Sequence, residues 1–137
     1  MQVLIIDDEI EICKSIKRYF SFFDDIELIF ASSFEEAMTC IQTYHPRMYV
    51  IDINLPDGNG LKLIKKIKQN SPANQVVVVT GASDLNRVFE ALEEGANDYL
   101  VKPIDMALLR KIITEAIERF KRWYELIKME LHLKQKT

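Results

Sequence analysis

The chain of 137 residues is poor in the residue types that most metal, nucleotide and disulfide sites require. It has two cysteines and two histidines, and they lack the spacing of zinc ligands. Its four glycines form no phosphate-binding loop, which disfavours a nucleotide-binding α/β domain. No apolar run approaches the roughly 18 residues of a membrane span, and the first residues lack the features of a signal peptide. We therefore expect a cytoplasmic protein without membrane attachment, whose thiols are free and buried.

The composition is that of one ordinary globular domain. Hydrophobic residues make up 48% of the chain and charged residues 28%, and the length allows a single sizeable core. The net charge of −3 does not favour binding to a polyanion by bulk electrostatics. No helix-turn-helix fits within residues 121–137, so we expect no direct contact of this chain with nucleic acid.

Short β-like runs alternate with amphipathic helical patterns along the chain. The predicted strands are 3–7, 26–31, 48–52, 75–80 and 98–101, and the predicted helices are 10–22, 33–44, 60–69, 84–94 and a last helix capped by Asp105. Ser33 followed by Glu36 has the pattern of a capping box, and Gly95 that of a helix C-cap. This alternation predicts an α/β fold with a parallel five-stranded sheet and helices on both faces.

Chemically active side chains follow four of the five predicted strands. Asp7 and Asp8 end the first strand, Asp52 ends the third, Thr80 the fourth, and Lys102 follows the fifth. Parallel strands bring their carboxyl ends to one edge of the sheet, where open α/β folds bind their ligands. This combination of acids, a hydroxyl and an ammonium suits the binding of a divalent cation and the transfer of a phosphoryl group to a carboxylate.

Taken singly, several of these residues have simpler explanations. The pair Asp7 and Asp8 resembles a helix N-cap as much as a ligand pair, Thr80 alone is typical of a turn, and Lys102 before Pro103 is a weak signal. Asp52 is harder to explain structurally, because an acid closing a buried apolar strand has to be solvated or paired. The functional interpretation depends on the combination of all four strand ends.

Four segments resemble the receiver domain of two-component response regulators. They are residues 4–9 (LIIDDE), 52–60 (DINLPDGNG), 78–81 (VVTG) and 95–103 (GANDYLVKP). The resemblance extends from residue 2 to about residue 120. It implies a flavodoxin-like (βα)5 fold and a signalling switch, not a metabolic enzyme, that receives a phosphoryl group from a sensor histidine kinase in the presence of Mg²⁺.

The resemblance also implies roles for individual residues. Asp52 matches the phospho-acceptor and Asp8 the direct metal ligand, while Asp7 matches the acid that acts on metal-bound water. The backbone carbonyl of Asn54 matches the third protein ligand of Mg²⁺, and Lys102 matches the lysine that neutralises the phosphoryl group.

Two further positions match the residues that change conformation on phosphorylation. Thr80 corresponds to the switch hydroxyl and Tyr99 to the switch aromatic residue. The resemblance also predicts a cis peptide bond between Lys102 and Pro103, a type of bond that occurs almost only before proline.

Two alternative functions are considered. A haloacid-dehalogenase-like phosphatase also phosphorylates an aspartate, but it places a second Asp two residues later, where this chain has Asn54. A pure dimerisation module would explain the C-terminal helix but would leave the acidic residues without a role.

The last helical pattern continues beyond a receiver-sized domain. We divide the chain into a receiver domain over 1–120 and a helical extension over 121–137. Apolar residues at alternating spacings of four and three residues predict a seam through which two chains could pair: Phe120, Tyr124, Ile127 and Leu131. A solvated tail is the alternative, since the seam is only about two heptads long. Because the helix reaches Thr137 without a cap, we expect a longer regulator with an output domain on the C-terminal side.

Overall fold

The computed structural model describes residues 1–81 and 84–136, in which strands and helices alternate. The strands are β1 (Gln2–Ile6), β2 (Glu27–Ala31), β3 (Met48–Asp52), β4 (Gln75–Thr80) and β5 (Asp98–Val101). The helices are α1 (Ile10–Phe20), α2 (Phe34–Tyr44), α3 (Gly60–Asn70), α4 (Leu85–Glu93) and α5 (Met106–Lys136). The predicted end of the last helix at Thr137 lies outside the described residues.

The five strands form one parallel sheet in the order β2-β1-β3-β4-β5. Ile6 at the end of β1 pairs with Ile51 of β3, and Asp52 pairs with Val79 of β4. Thr80 pairs in turn with Val101 at the end of β5. This register brings four carboxyl ends to the same edge of the sheet, and the predicted flavodoxin-like fold is confirmed.

The sheet is buried on both faces, which explains the nearly continuous apolar character of its central strands. All five residues of β3 and all six of β4 are buried. Successive residues alternate between two cores: Ile51 packs with α2 and α3 residues, whereas Val50 packs with residues of α1 and α5. Both cysteines are free, but only Cys40 is buried; Cys13 is partly exposed, so the prediction of two buried thiols is wrong for Cys13.

The ends of α1 and α2 differ in detail from the sequence pattern. Helix α1 ends at Phe20, two residues earlier than predicted, because a tight turn follows in which the Phe23 amide donates to the Phe20 carbonyl. At the start of α2, the Ser33 hydroxyl accepts from the Glu36 amide at 3.1 Å. The Glu36 carboxylate accepts from the Ser32 hydroxyl, so only half of the capping box forms as predicted.

Helix α5 runs for 31 residues and includes residues 121–136 of the predicted helical extension. Its first half packs on the sheet, and Phe120 is only 7% exposed within this core. Ile127 also packs partly against the same core. The prediction that Phe120 pairs with a second chain is therefore wrong, because its ring is already covered by its own domain. None of the helices in the described ranges is both long and apolar enough to cross a membrane.

Gly95, which follows α4, generates a testable prediction about the fold. Its φ of 112° is a conformation that residues with a Cβ rarely adopt, and an added Cβ would lie 3.0 Å from Cγ of Lys68. We expect Gly95→Ala to lower the free energy of unfolding by about 1–3 kcal/mol, measured by urea denaturation.

A second variant separates the two causes of this destabilisation. In a Lys68→Ala background the contact with the lysine stem is removed, while the backbone constraint is retained. Gly95→Ala should still destabilise that background; equal stability of Lys68→Ala with and without the change would show that crowding alone is responsible.

Candidate functional site

Three aspartates meet at the carboxyl edge of the sheet. One carboxylate oxygen each of Asp7, Asp8 and Asp52 lie within 4.8 Å of one another. Asp7 and Asp52 are 4% and 5% exposed, whereas Asp8 is exposed to solvent. The parallel register of β1 and β3 causes this meeting, since Asp7 follows the last residue of β1 and Asp52 is the last residue of β3.

Local backbone hydrogen bonds orient the two buried carboxylates. The Glu9 amide donates to Oδ1 of Asp7 at 2.8 Å, and the Asn54 amide donates to Oδ1 of Asp52 at 2.9 Å. Each is an aspartate bonding to the backbone two residues further on, which holds the side chain in one rotamer. In both residues Oδ2 is the oxygen that approaches the Lys102 ammonium.

Lys102 holds the carboxylates together. Its Nζ lies 3.1 Å from Asp52 Oδ2, 3.2 Å from Asp7 Oδ2 and 2.6 Å from Glu9 Oε1. The Lys102–Pro103 peptide bond is cis, as predicted, and the Lys102 amide donates to the Thr80 carbonyl at 2.8 Å. The sequence analysis did not predict this contact of Glu9. Glu9 ends the 4–9 segment, but nothing in the sequence indicates that it contacts a lysine 93 residues away.

The pKa values reflect this crowding of charge. Burial raises the pKa of Asp7 above its ordinary value, although the Glu9 amide and the Lys102 charge act in the opposite direction. Burial alone would lower the pKa of Lys102, but hydrogen bonds to Glu9 and Asp52 and the neighbouring negative charges raise it. The lysine is therefore firmly protonated, and one ammonium faces more than one carboxylate.

Thr80 and Tyr99 lie on adjacent strands near this cluster, but their environments differ. Thr80 is fully buried, and its hydroxyl donates to the Gly81 carbonyl at 3.3 Å. Tyr99 is 46% exposed and lines an open cleft of about 560 Å³ between β5 and α5 together with Leu108 and Lys111. Thr80 is therefore buried on the strand adjacent to that of Asp52, whereas the Tyr99 ring lies at the outer surface.

The β3–α3 loop makes side-chain contacts that the sequence did not predict. Asp57 accepts hydrogen bonds from the amides of Phe34 at 2.7 Å and Glu35 at 3.4 Å, and so caps α2 from a distant loop. These bonds lower the pKa of Asp57. A Cβ at Gly58 would lie 2.6 Å from the Phe34 ring, so only glycine fits there without displacing that ring.

The donor set fits a hard divalent cation. Asp7, Asp8 and Asp52 offer carboxylate oxygens, the ligands that Mg²⁺ prefers, and Asp8 faces solvent, where a bound cation could keep several waters. Three carboxylates, those of Asp7, Glu9 and Asp52, contact the Lys102 ammonium, and Asp8 adds a further acid to the cluster, so a net negative charge is left for a cation to balance.

The raised pKa of Asp7 predicts how stability depends on pH. In Mg²⁺-free buffer, we expect Asp7→Asn to increase the free energy of unfolding at pH 7. The pKa of Asp7 is higher in the folded protein than in the unfolded chain. The stability that the protonated Asp7 carboxyl contributes is therefore lost as the pH rises through the pKa of the folded state. Asparagine keeps an oxygen for the Glu9 amide and removes the buried charge. The gain should shrink as pH falls below the unfolded pKa, where aspartate is protonated in both states.

Urea denaturation across a pH series measures this effect, with Glu11→Gln as the matched control. Glu11 lies on α1 with an 89% exposed side chain and makes only a weak helical pair with Lys14 at 3.8 Å. Its substitution should change stability little at any pH. If Asp7→Asn is less stable than the natural chain at pH 7, the ion pair with Lys102 outweighs the cost of burial.

Comparison with known proteins connects this geometry with one family. The profile of the response regulator receiver domain matches residues 3–114. The transcriptional regulatory protein MalR of Bacillus subtilis is 32% identical over 116 residues, which is 84% of this chain and 49% of MalR. The chain thus spans about half of MalR, and 25% of the regulatory protein AtoC of Escherichia coli.

Solved structures agree with this assignment. A response regulator receiver domain protein from Clostridium thermocellum is 31% identical with a TM-score of 0.80, covering 89% of this chain and 98% of that one. A Rhodopirellula baltica protein named as an adenylate cyclase is 29% identical with a TM-score of 0.82, covering 99% and 98%. On these grounds the chain belongs to the response regulator receiver domain family, whose members act in two-component signalling.

Proposed function

We propose that Asp52 accepts a phosphoryl group from a partner histidine kinase, with Mg²⁺ bound by Asp7, Asp8, Asp52 and the Asn54 carbonyl. The observation that carries the proposal is the position of the Asp52 carboxylate, 3.1 Å from the Lys102 ammonium and within one cluster with Asp7 and Asp8. When bound, Mg²⁺ would neutralise oxygens of the transferring phosphoryl group. In the transfer, the phosphorus–nitrogen bond to the kinase histidine breaks and a phosphorus–oxygen bond to Asp52 forms.

The residues around Asp52 have separate roles in this reaction. The Asn54 amide fixes Oδ1 of Asp52 and so orients the carboxylate for in-line attack. Lys102 moves its ammonium from Asp52 to an oxygen of the transferred group, while Glu9 and Asp7 keep it at the site. Asp7 would help to hold the cation and would act on water at the site, and slow hydrolysis of the acyl phosphate would return the Asp52 carboxylate and release inorganic phosphate. In this scheme the protein acts as a switch that is phosphorylated once per cycle, and it is not an enzyme that turns over a metabolite.

Phosphorylation would be transmitted through Thr80 and Tyr99. Among the described residues, the Thr80 hydroxyl donates only to the Gly81 carbonyl, at 3.3 Å, and it could exchange this contact for one to a strong charged acceptor. Its movement toward the phosphoryl group vacates space into which the exposed ring of Tyr99 turns. This changes the surface formed by α4, β5 and α5, as a population shift between two states.

The phosphatase alternative is disfavoured by the contacts of Asn54. The residue two positions after the nucleophile would have to donate a proton to the leaving group. Here it is an amide whose side chain is bound to Asp84 and Arg87, so it offers no acidic proton.

Labelling with a small phosphodonor tests the site. We expect acetyl phosphate with Mg²⁺ to phosphorylate the chain once, because Asp52 is the one acid of the cluster that ends the central strand β3, and Asp52→Asn should abolish the product seen by intact mass. Asp57→Asn is the matched control, since it alters an aspartate of the same loop that caps α2 and lies outside the acidic cluster. Undiminished labelling of Asp52→Asn would refute the assignment.

We also propose that two chains pair through the end of α5. Beyond residue 125, Leu131 of the predicted seam is 55% exposed, and on the other side of the helix Leu126, Met129 and Leu133 are 60–63% exposed. An unsupported helix of this length is marginal in water, so a partner that buries these side chains would stabilise it. Because Phe120 and part of Ile127 already pack on their own domain, the pairing surface begins later than the sequence seam indicated.

Sedimentation equilibrium of the full chain tests the pairing. Leu131→Lys should weaken dimerisation roughly tenfold or more, since burying a leucine contributes about 1.5–3 kcal/mol. His132→Lys, about 100° around the helix from Leu131 and off the seam of Tyr124, Ile127 and Leu131, is the control and should leave the dimer intact. A monomer at every accessible concentration, with or without the acyl-phosphate mimic beryllofluoride, would rule the pairing out.

A further inference from the structure

Helix α4 is held to the domain by few apolar contacts. Only Val88 and Ala91 of its nine residues are buried. Leu85, Phe89 and Leu92 are 46%, 69% and 41% exposed. A helix with so little buried surface depends more than its neighbours on polar contacts for its position.

Those polar contacts converge on one side chain, Asn54. Its Nδ2 donates to Oδ2 of Asp84 at 2.8 Å, and its Oδ1 accepts from the Arg87 guanidinium. The second nitrogen of that guanidinium donates to Oδ1 of Asn59 at 3.4 Å, and Asn59 itself caps α3 through the Leu61 amide. Both ends of the Asn54 amide are thus held by the start of α4, and Arg87 spans the β3–α3 loop.

Asn54 is also joined directly to the reactive carboxylate. Its backbone amide donates to Asp52 Oδ1 at 2.9 Å, and its backbone carbonyl is the proposed third ligand of the cation. A side chain fixed at both ends allows little rotation of the peptide to which it is attached. The direction of the Asn54 carbonyl therefore depends on where Asp84 and Arg87 lie.

We propose that Arg87, with Asp84, is a positioning residue that orients the Asn54 carbonyl for Mg²⁺ binding and so couples α4 to the metal site. This inference rests on the proposed function, in which Asn54 contributes a ligand. The coupling is reciprocal by linkage: a bound cation that fixes Asn54 also restrains α4, and any partner that moves α4 alters cation affinity.

The test is Mg²⁺ binding, measured by isothermal titration calorimetry with Mg²⁺ alone and no phosphodonor. Arg87→Gln should weaken binding about tenfold, the lower end of the range for losing a residue that supports a metal ligand. This direction is diagnostic, because removing a positive charge near an acidic site would by electrostatics alone strengthen cation binding. Arg87→Lys keeps the charge but not the forked geometry, so it should recover only part of the affinity.

Two further variants complete the design. Arg122→Gln removes the same charge from an exposed position on α5 and should bind Mg²⁺ as the natural chain does. Asp8→Ala removes a proposed direct ligand and should weaken binding at least as much as Arg87→Gln. Thermal unfolding and the NMR resonance of the Asn54 backbone amide are followed in parallel. If the role of Arg87 were only structural, Arg87→Gln would lower the midpoint of thermal unfolding without altering the affinity for Mg²⁺.

The outcomes separate this inference from the proposed function. Weak binding by Asp8→Ala together with unchanged binding by Arg87→Gln would overturn the positioning role and leave the phosphorylation site standing. Absence of Mg²⁺ binding by the natural chain would overturn both. Weakened binding by Arg87→Gln, partial recovery by Arg87→Lys and an unchanged control would establish the coupling.

Discussion

The ammonium of Lys102 joins strand ends whose carboxylates would otherwise repel one another. Asp7 and Asp52 are almost completely buried, and uncompensated charges in such positions are costly. One lysine reaches both, and Glu9 as well, because the parallel strands bring their carboxyl ends to the same edge of the sheet. Yet one positive charge cannot balance these acids together with Asp8. The imbalance that costs stability in the absence of metal would also favour binding of the proposed divalent cation, so that local instability and cation affinity would have the same physical origin.

The loop that follows Asp52 is the second shared element, because it contacts two helices through different side chains. Asp57 caps the start of α2, and Asn54 binds the start of α4 through Asp84 and Arg87. A change of charge at Asp52 therefore acts on a segment that contacts two helices, α2 and α4, on the same face of the sheet. The two attachments differ in strength: α2 is anchored by its own Ser33 cap and by buried residues, whereas α4 has few buried side chains. We expect a disturbance of the loop to be expressed mainly at α4.

The sequence predicted most of the fold, because parallel strands buried on both faces have a distinct apolar pattern and their ends must share an edge. The same reasoning predicted that Asp7, Asp52 and Lys102 meet at one edge of the sheet, without any knowledge of side-chain geometry. It missed contacts made by long side chains across loops, such as Glu9 with Lys102 and Arg87 with Asn54, because these depend on loop conformation and have no periodic signal. It also misplaced Phe120, since a stripe with heptad spacing can face a sheet as well as another helix, and spacing alone does not distinguish the two.

Helix α5 connects the site with the proposed pairing surface through one rigid element. It begins four residues after Lys102, and its middle is held at the opposite edge of the sheet. There the Arg47 guanidinium lies 5.9 Å from the ring centroids of both Phe120 and Tyr124, and the Lys68 ammonium lies 5.5 Å from the Trp123 ring. Contacts of this kind contribute about 0.5–1 kcal/mol each at exposed positions. They are strong enough to fix the direction in which the helix leaves the domain, but weak enough to be exchanged for contacts with a second helix. A shift at the Lys102 end can therefore change the exit of the helix without unfolding any part of the core.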